Sequence, residues 1–133
     1  MRELSLAGLL FSLLALGLAC ATPQVTEEEQ GAYDEAVPVL SEEPQAGARR
    51  LETFIRVYPR SPLAEQAAWL RYRLALNAED RARAVFWLGW LVRNYPEGER
   101  SDEARVKLAR LHAQTGDREM ARRLLRDLRI GRL

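Results

Sequence analysis

Cys20 is the only thiol in this chain and His112 the only imidazole, so the chemistry that side chains could do here is narrow. With one histidine, no HExxH motif or other metal site built on paired imidazoles is available. The acidic pairs Glu79-Asp80 and Asp102-Glu103 stand at the starts of expected helices, where capping and the macrodipole account for them. The eight glycines are scattered and form no phosphate-binding loop. No catalytic residue, metal ligand set or cofactor is expected, and the chain reads as a non-enzyme. Cys20 remains. A lone cysteine cannot form an internal disulfide, and this one closes an uncharged, largely apolar run over residues 4–19.

That run is shorter than the roughly 20 residues a spanning helix needs, and it ends in small residues as a cleavable export signal does. Leu16-Gly17-Leu18-Ala19-Cys20 resembles a lipoprotein processing box, in which the thiol receives a diacylglyceryl group and the bond before it is cut. Gly17 departs from the Leu or Val of that pattern, and Arg2 beside Glu3 gives only a thin positive start. The competing reading is an uncleaved membrane helix with an incidental cysteine. The resemblance implies three acyl chains, and at about 0.8 kcal/mol per buried CH₂ these hold a protein on its membrane. Ala21, in place of Asp, agrees with sorting to the outer membrane.

What such an anchor carries is built from helices. Tyr58-Pro59 recurs as Tyr95-Pro96, 37 residues on, and the same step lays Ala67 on Ala104, Asp80 on Asp117, Ala84 on Ala121, Leu88 on Leu125 and Leu91 on Leu128. One step back places Gly47, Leu51, Phe54 and Tyr58 under Ala84, Leu88, Leu91 and Tyr95, so a half-unit precedes two full ones. This period, with two helical segments per unit, is the signature of a helical-hairpin solenoid, whose hairpins bury their apolar faces on one another. Breaking and capping signals predict helices over 45–57, 62–77, 80–94, 101–114 and 117–129, with Pro59 and Pro96 ending the first and third. Ser61 and Ser101 are the expected N-caps of the second and fourth. The expected fold class is all-α, a short solenoid of about two and a half units.

Small residues at Ala104, Ala109 and Ala121, the Thr115-Gly116-Asp117 turn, and Leu108, Leu125 and Leu128 make residues 44–130 resemble the tetratricopeptide family. Tyr-Pro followed by Ser61-Pro62-Leu63-Ala64-Glu65-Gln66-Ala67 is similar, more particularly, to the repeats of bacterial envelope proteins. Among these are the outer-membrane lipoprotein of the β-barrel assembly machinery and the periplasmic coordinator of the Tol-Pal system. The resemblance implies a scaffold that binds other proteins. It also gives His112 the place of an aromatic packing residue. One departure stands out: Arg71 and Tyr72 fall where the sibling unit has Leu108 and Ala109. This predicts a leading helix rotated or shifted so that Leu70 and Leu74 pack.

The expected domains are a signal peptide over 1–19, a lipidated Cys20 with an acidic flexible tether over 20–44, and the repeats over 45–133. Residues 21–46 hold seven acidic side chains, no basic one, and prolines at 23, 38 and 44, the composition of an extended solvated segment. A short helix from Thr26 to Val37, with Glu29 as capping-box partner, is the local alternative, although it is too short to stand alone. From residue 47 onward 19 basic residues face 11 acidic ones, a net of +8. Such a balance suits either solvated helix faces or a surface for an acidic partner, an anionic lipid or a glycan. Nucleic acid is not an expected partner, since no base-stacking or groove-reading motif accompanies the charge.

Tetratricopeptide arrays line an inner groove with the leading helix of each hairpin, and carrying that over gives Trp69, Arg73, Arg110 and Gln114 as partner-binding residues. An extended acidic segment is expected to dock there, the chain's own tether being one such ligand; the other reading of Trp69 is a ring packed between hairpins. Phe86 and Trp90 are apolar only in the central unit, their counterparts being Arg49 and Thr53 before and Arg123 and Asp127 after. At i, i+4 spacing they share a face, which forms either an exposed patch for a partner or self-association, or a more covered central helix. The expected function is a membrane-anchored lipoprotein scaffold that binds cell-envelope proteins, at the outer membrane facing the periplasm, in outer-membrane assembly or envelope maintenance. The alternative is a basic module that binds an anionic lipid, glycan or other polyanion.

Overall fold

A computed structural model describes residues 23–128. Cys20, the expected signal segment and the last five residues lie outside that range. Seven helices succeed one another among the described residues: α1 Glu27–Ala36, α2 Val39–Glu42, α3 Pro44–Val57, α4 Pro62–Asn77, α5 Arg81–Asn94, α6 Ser101–Gln114 and α7 Arg118–Arg126. From α3 onward each packs on the next, so that α4 joins α3 to α5 and α6 joins α5 to α7. This is the all-α solenoid that the repeat predicts.

Local chemistry sets the boundaries. Ser61 caps α4 by accepting from the Leu63 N–H at 3.3 Å, with Pro62 at the first helical position. Asp80 and Asp117, 37 residues apart, cap α5 and α7 by accepting from the N–H groups of Arg83 and Met120 at 3.0 and 3.1 Å. The turns before them are matched Schellman motifs. Asp80 N–H donates to the Ala75 carbonyl at 2.8 Å, and Asp117 N–H to that of His112 at 3.0 Å. The left-handed residue of each motif is Gly116 in one turn (φ 85°) and Glu79 in the other (φ 55°), where a side chain is strained.

The core is a row of small and branched residues. Leu51, Ala64, Ala67, Leu88, Leu91 and Ala104 are all fully buried, at repeat positions where adjacent hairpins meet. The two repeated tyrosines tie consecutive units together. Tyr95 reaches back to the α3–α4 turn, where its hydroxyl donates to the carbonyls of Pro59 and Ser61 at 2.9 and 2.7 Å. Tyr58 reaches back in the same way and donates to Glu28 on α1 at 2.7 Å.

Three expectations are corrected. The segment expected to be an extended tether is helical over most of its length. Thr26 and Glu29 form the capping box, with Glu29 N–H to Thr26 Oγ1 at 3.2 Å and Thr26 N–H to Glu29 Oε2 at 3.0 Å. The helix is too short to be stable alone, and it is held by burial of Ala36 and by the Tyr33 ring set edge-on to Phe54 at 5.6 Å. Resting on α3 and α4, α1 supplies a leading helix to what the sequence shows as a half-unit.

Second, α4 is not rotated. Arg71 and Tyr72 are buried at the positions of Leu108 and Ala109, while Leu70 and Leu74 are only half-buried. Register is kept because Glu52 of α3 neutralises the Arg71 guanidinium, which also lies 5.4 Å from the centre of the Trp87 ring. Third, Ser101 does not cap α6. The N-cap is Arg100, whose N–H donates to the Glu65 carboxylate at 2.8 Å. The Ser101 hydroxyl is buried without a partner because the position is a packing site, filled one unit earlier by Ala64.

Candidate functional site

Among the sequence-predicted site residues, the structure brings Trp69 and Arg73 together. Both are on α4 and line a groove of about 390 Å³ whose other walls include Tyr33 of α1, Glu65 of α4, and Glu99 and Arg100 of the α5–α6 loop. Two local devices shape it. The Glu65 carboxylate holds the loop by accepting from the Arg100 N–H, and Gly98 passes so close to that carboxylate that a Cβ there would collide with it. The Arg100 guanidinium then lies 5.0 Å from the centre of the Trp69 ring, whose other neighbour is Tyr72 at 5.1 Å.

Trp69 is mostly buried, in keeping with the reading of a ring packed between hairpins, and its remaining surface lines the groove. Arg73 is exposed at the rim and makes no hydrogen bond or ion pair among the described residues. The groove therefore joins an aromatic floor to an unpartnered cation, with the carboxylates of Glu65 and Glu99 also in its lining. The tether does not fill it. Folded as α1, that segment contributes a wall through Tyr33, whose hydroxyl pKa is raised by burial and by the neighbouring Asp34.

Arg110 and Gln114 are exposed on α6 and are not part of this groove. Gln114 is engaged by Arg81 of α5, which donates to its Oε1 at 3.2 Å and also to the Leu111 carbonyl. Phe86 and Trp90 separate despite their spacing. Phe86 is 54% exposed, edge-on to Trp87 at 5.0 Å. Trp90 is half-buried between Trp87 at 6.2 Å and Tyr95 at 5.7 Å. Phe86 alone is a free apolar surface, and Trp90 belongs to the packing that seats Tyr95.

Burial, with the charges of Glu65 and then Glu29, pushes the Tyr95 hydroxyl up to about 12, so it remains a neutral donor at any physiological pH. His112 is half-buried at the end of α6, with Nδ1 3.3 Å from the Asp117 carboxylate. It braces the turn and does not fill an interior position. Among the described residues no three His, Cys, Asp or Glu side chains gather as a metal site, and no helix is long and apolar enough to cross a membrane. Sequence reasoning missed Tyr33 and Arg100 in the groove. Their only signal was their type, an aromatic and an arginine in segments taken as tether and loop.

Stacked helical hairpins joined by packing, with a groove between α1, α4 and the α5–α6 loop, define a helical-repeat scaffold, a class that works by binding protein partners. The chain belongs to the tetratricopeptide repeat-like domain family, whose model matches residues 21–129. The match takes in the segment that forms α1 and α2, in keeping with their packing on the array. No curated protein and no solved structure matches the chain.

Proposed function

We propose that the protein is a membrane-anchored scaffold of the bacterial cell envelope that holds another envelope protein by an extended segment laid across α4. The observation that carries this reading is the groove itself, with Trp69 and Tyr33 as apolar walls and Arg73 as a cation that nothing neutralises among the described residues. A segment that sets an apolar side chain on Trp69 and a carboxylate on Arg73 satisfies both. Anchoring rests on the sequence of residues 4–20, with Cys20 as the lipidated residue and Ala21 favouring the periplasmic face of the outer membrane. A part in outer-membrane assembly or envelope maintenance rests on the resemblance of the Tyr-Pro repeats.

A photo-crosslinking residue at Gln66, in the intact envelope, is expected to capture a partner, and Arg73→Glu is expected to abolish that capture. Equal capture from Arg56 on α3, or capture indifferent to Arg73→Glu, refutes the groove. Cys20→Ser is expected to release the protein from membranes or leave it unprocessed, and absence of palmitate incorporation in the natural chain refutes the anchor.

The exposed arginines of α7, Arg118, Arg122, Arg123 and Arg126, favour a second reading as a basic module for an anionic lipid, glycan or other polyanion. Salt separates the two. Charge-driven binding falls steeply as ionic strength rises, whereas a groove with apolar walls loses much less.

A further inference from the structure

Leu51, Leu88 and Leu125 occupy one repeat position, 37 residues apart. The first two are 0% and 0% exposed, while Leu125 is 44% exposed. The difference lies in the helix packed over each of them. α4 packs on α3 and α6 on α5, so a later leading helix follows each of the first two leucines, whereas among the described residues α7 touches α6 alone. At the opposite end α1 is a leading helix with no trailing helix before it among the described residues; its neighbours are α2, α3 and α4. The two ends of the described array thus offer the two sides of such a junction.

Their charges match. α1 exposes Glu27, Glu28, Asp34 and Glu35 and has no base. α7 exposes Arg118, Arg122, Arg123 and Arg126, and its one carboxylate, Glu119, is engaged by Arg123 at 3.3 Å. The junction between α3 and α4 carries the Glu52–Arg71 ion pair. Two repeat steps forward from Glu52 stands Arg126, and one step back from Arg71 stands Asp34. The same pair is present at the two ends with its signs exchanged.

We propose that the protein assembles end to end, with α7 of one copy packed on α1 of the next. Leu125 is then roofed by α1, and Arg126 pairs with Asp34 of the next copy. A head-to-tail contact does not close with two copies; it yields rings or open chains.

Sedimentation of the full chain in density-matched detergent tests this. The wild type is expected to gain mass with concentration beyond that of a dimer, and less so at high salt. Asp34→Arg and Arg126→Asp, both at exposed positions, are each expected to weaken association by about tenfold, through like charges set opposite one another. An equimolar mixture of the two variants, and the double variant, are expected to recover it, an outcome that shared micelles cannot mimic. Leu125→Glu provides an arm independent of the pair, with assembly lost and the thermal midpoint of the dilute protein unchanged. A monomer at every concentration, a closed dimer, or failure of the mixture to recover assembly overturns the proposal. So does a wild type that stays monomeric yet binds dextran sulfate through α7, since the arginines then serve a polyanion.

Discussion

Replacing Glu52 by Ala is expected to cost more stability than replacing Arg71 by Leu, although both substitutions break the same ion pair. The Arg71 side chain is 9% exposed and that of Glu52 47%. Its Nε is already buried without a partner, so Glu52→Ala strands a guanidinium that water can barely reach. Breaking a fully buried pair costs about 3–5 kcal/mol, and solvent on the Glu52 side brings the expectation here to about 2 kcal/mol. Arg71→Leu instead removes the buried charge and inserts the residue type that the next unit carries, buried, at Leu108. The lost contact with the Trp87 ring costs about 0.5–1 kcal/mol, and burial of the leucine returns a similar or larger amount. The net change is expected within about 1 kcal/mol of zero, with Glu52 left in water. For a domain of this size about 2 kcal/mol lowers the thermal midpoint by roughly 10 °C. Circular dichroism melts of the two variants decide the matter. If Arg71→Leu melts below Glu52→Ala, the pair is a net stabiliser and the reasoning from desolvation is wrong.

The aromatics of α5 are expected to divide in the same assay. Phe86→Glu changes stability by less than about 1 kcal/mol because just over half of the ring is already exposed, while Trp90→Glu puts a charge between Trp87 and Tyr95 and costs about 3 kcal/mol or more; equal melts refute the division. Tyr95 binds its proton more tightly folded than unfolded, so its contribution is complete below pH 10 and is lost as pH rises from 10 towards about 12. With its half-exposure discounted, about 1 kcal/mol is expected to disappear across that window, and Tyr95→Phe is expected to remove that part of the pH dependence in urea titrations, leaving the part due to Tyr33 and Tyr58, whose pKa values are also raised; an unchanged pH profile refutes a role for the hydroxyl in the joint. Ser101→Ala is expected to stabilise by about 1 kcal/mol, because it deletes a buried hydroxyl without a partner where the preceding unit has Ala64; a lower melting temperature means that the hydroxyl has a role in the native chain.

Helix boundaries were legible in the residues because their causes are local. Pro59, Pro96, Ser61, Asp80 and Asp117 act over three or four positions, and α3 to α6 end where those residues direct. The 37-residue step was equally plain, since identical positions must meet identical neighbours in a stacked array. Other features depended on residues distant in sequence. Whether residues 27–36 form a helix that persists was decided by α3 and α4, which bury Ala36 and meet Tyr33. The register of α4 was decided by Glu52, nineteen residues before Arg71, because an arginine tolerates an interior position only where another segment supplies its counter-charge. Of the groove, Trp69 and Arg73 were legible from the repeat, while its other walls were hidden for the same reason, coming from α1 and the α5–α6 loop, with Arg100 brought to Trp69 by a bond to Glu65. Leu88 and Leu125 share a repeat position, and one is buried while the other stands open. Burial is set by what packs over a residue, and α7 has no later helix among the described residues to cover it.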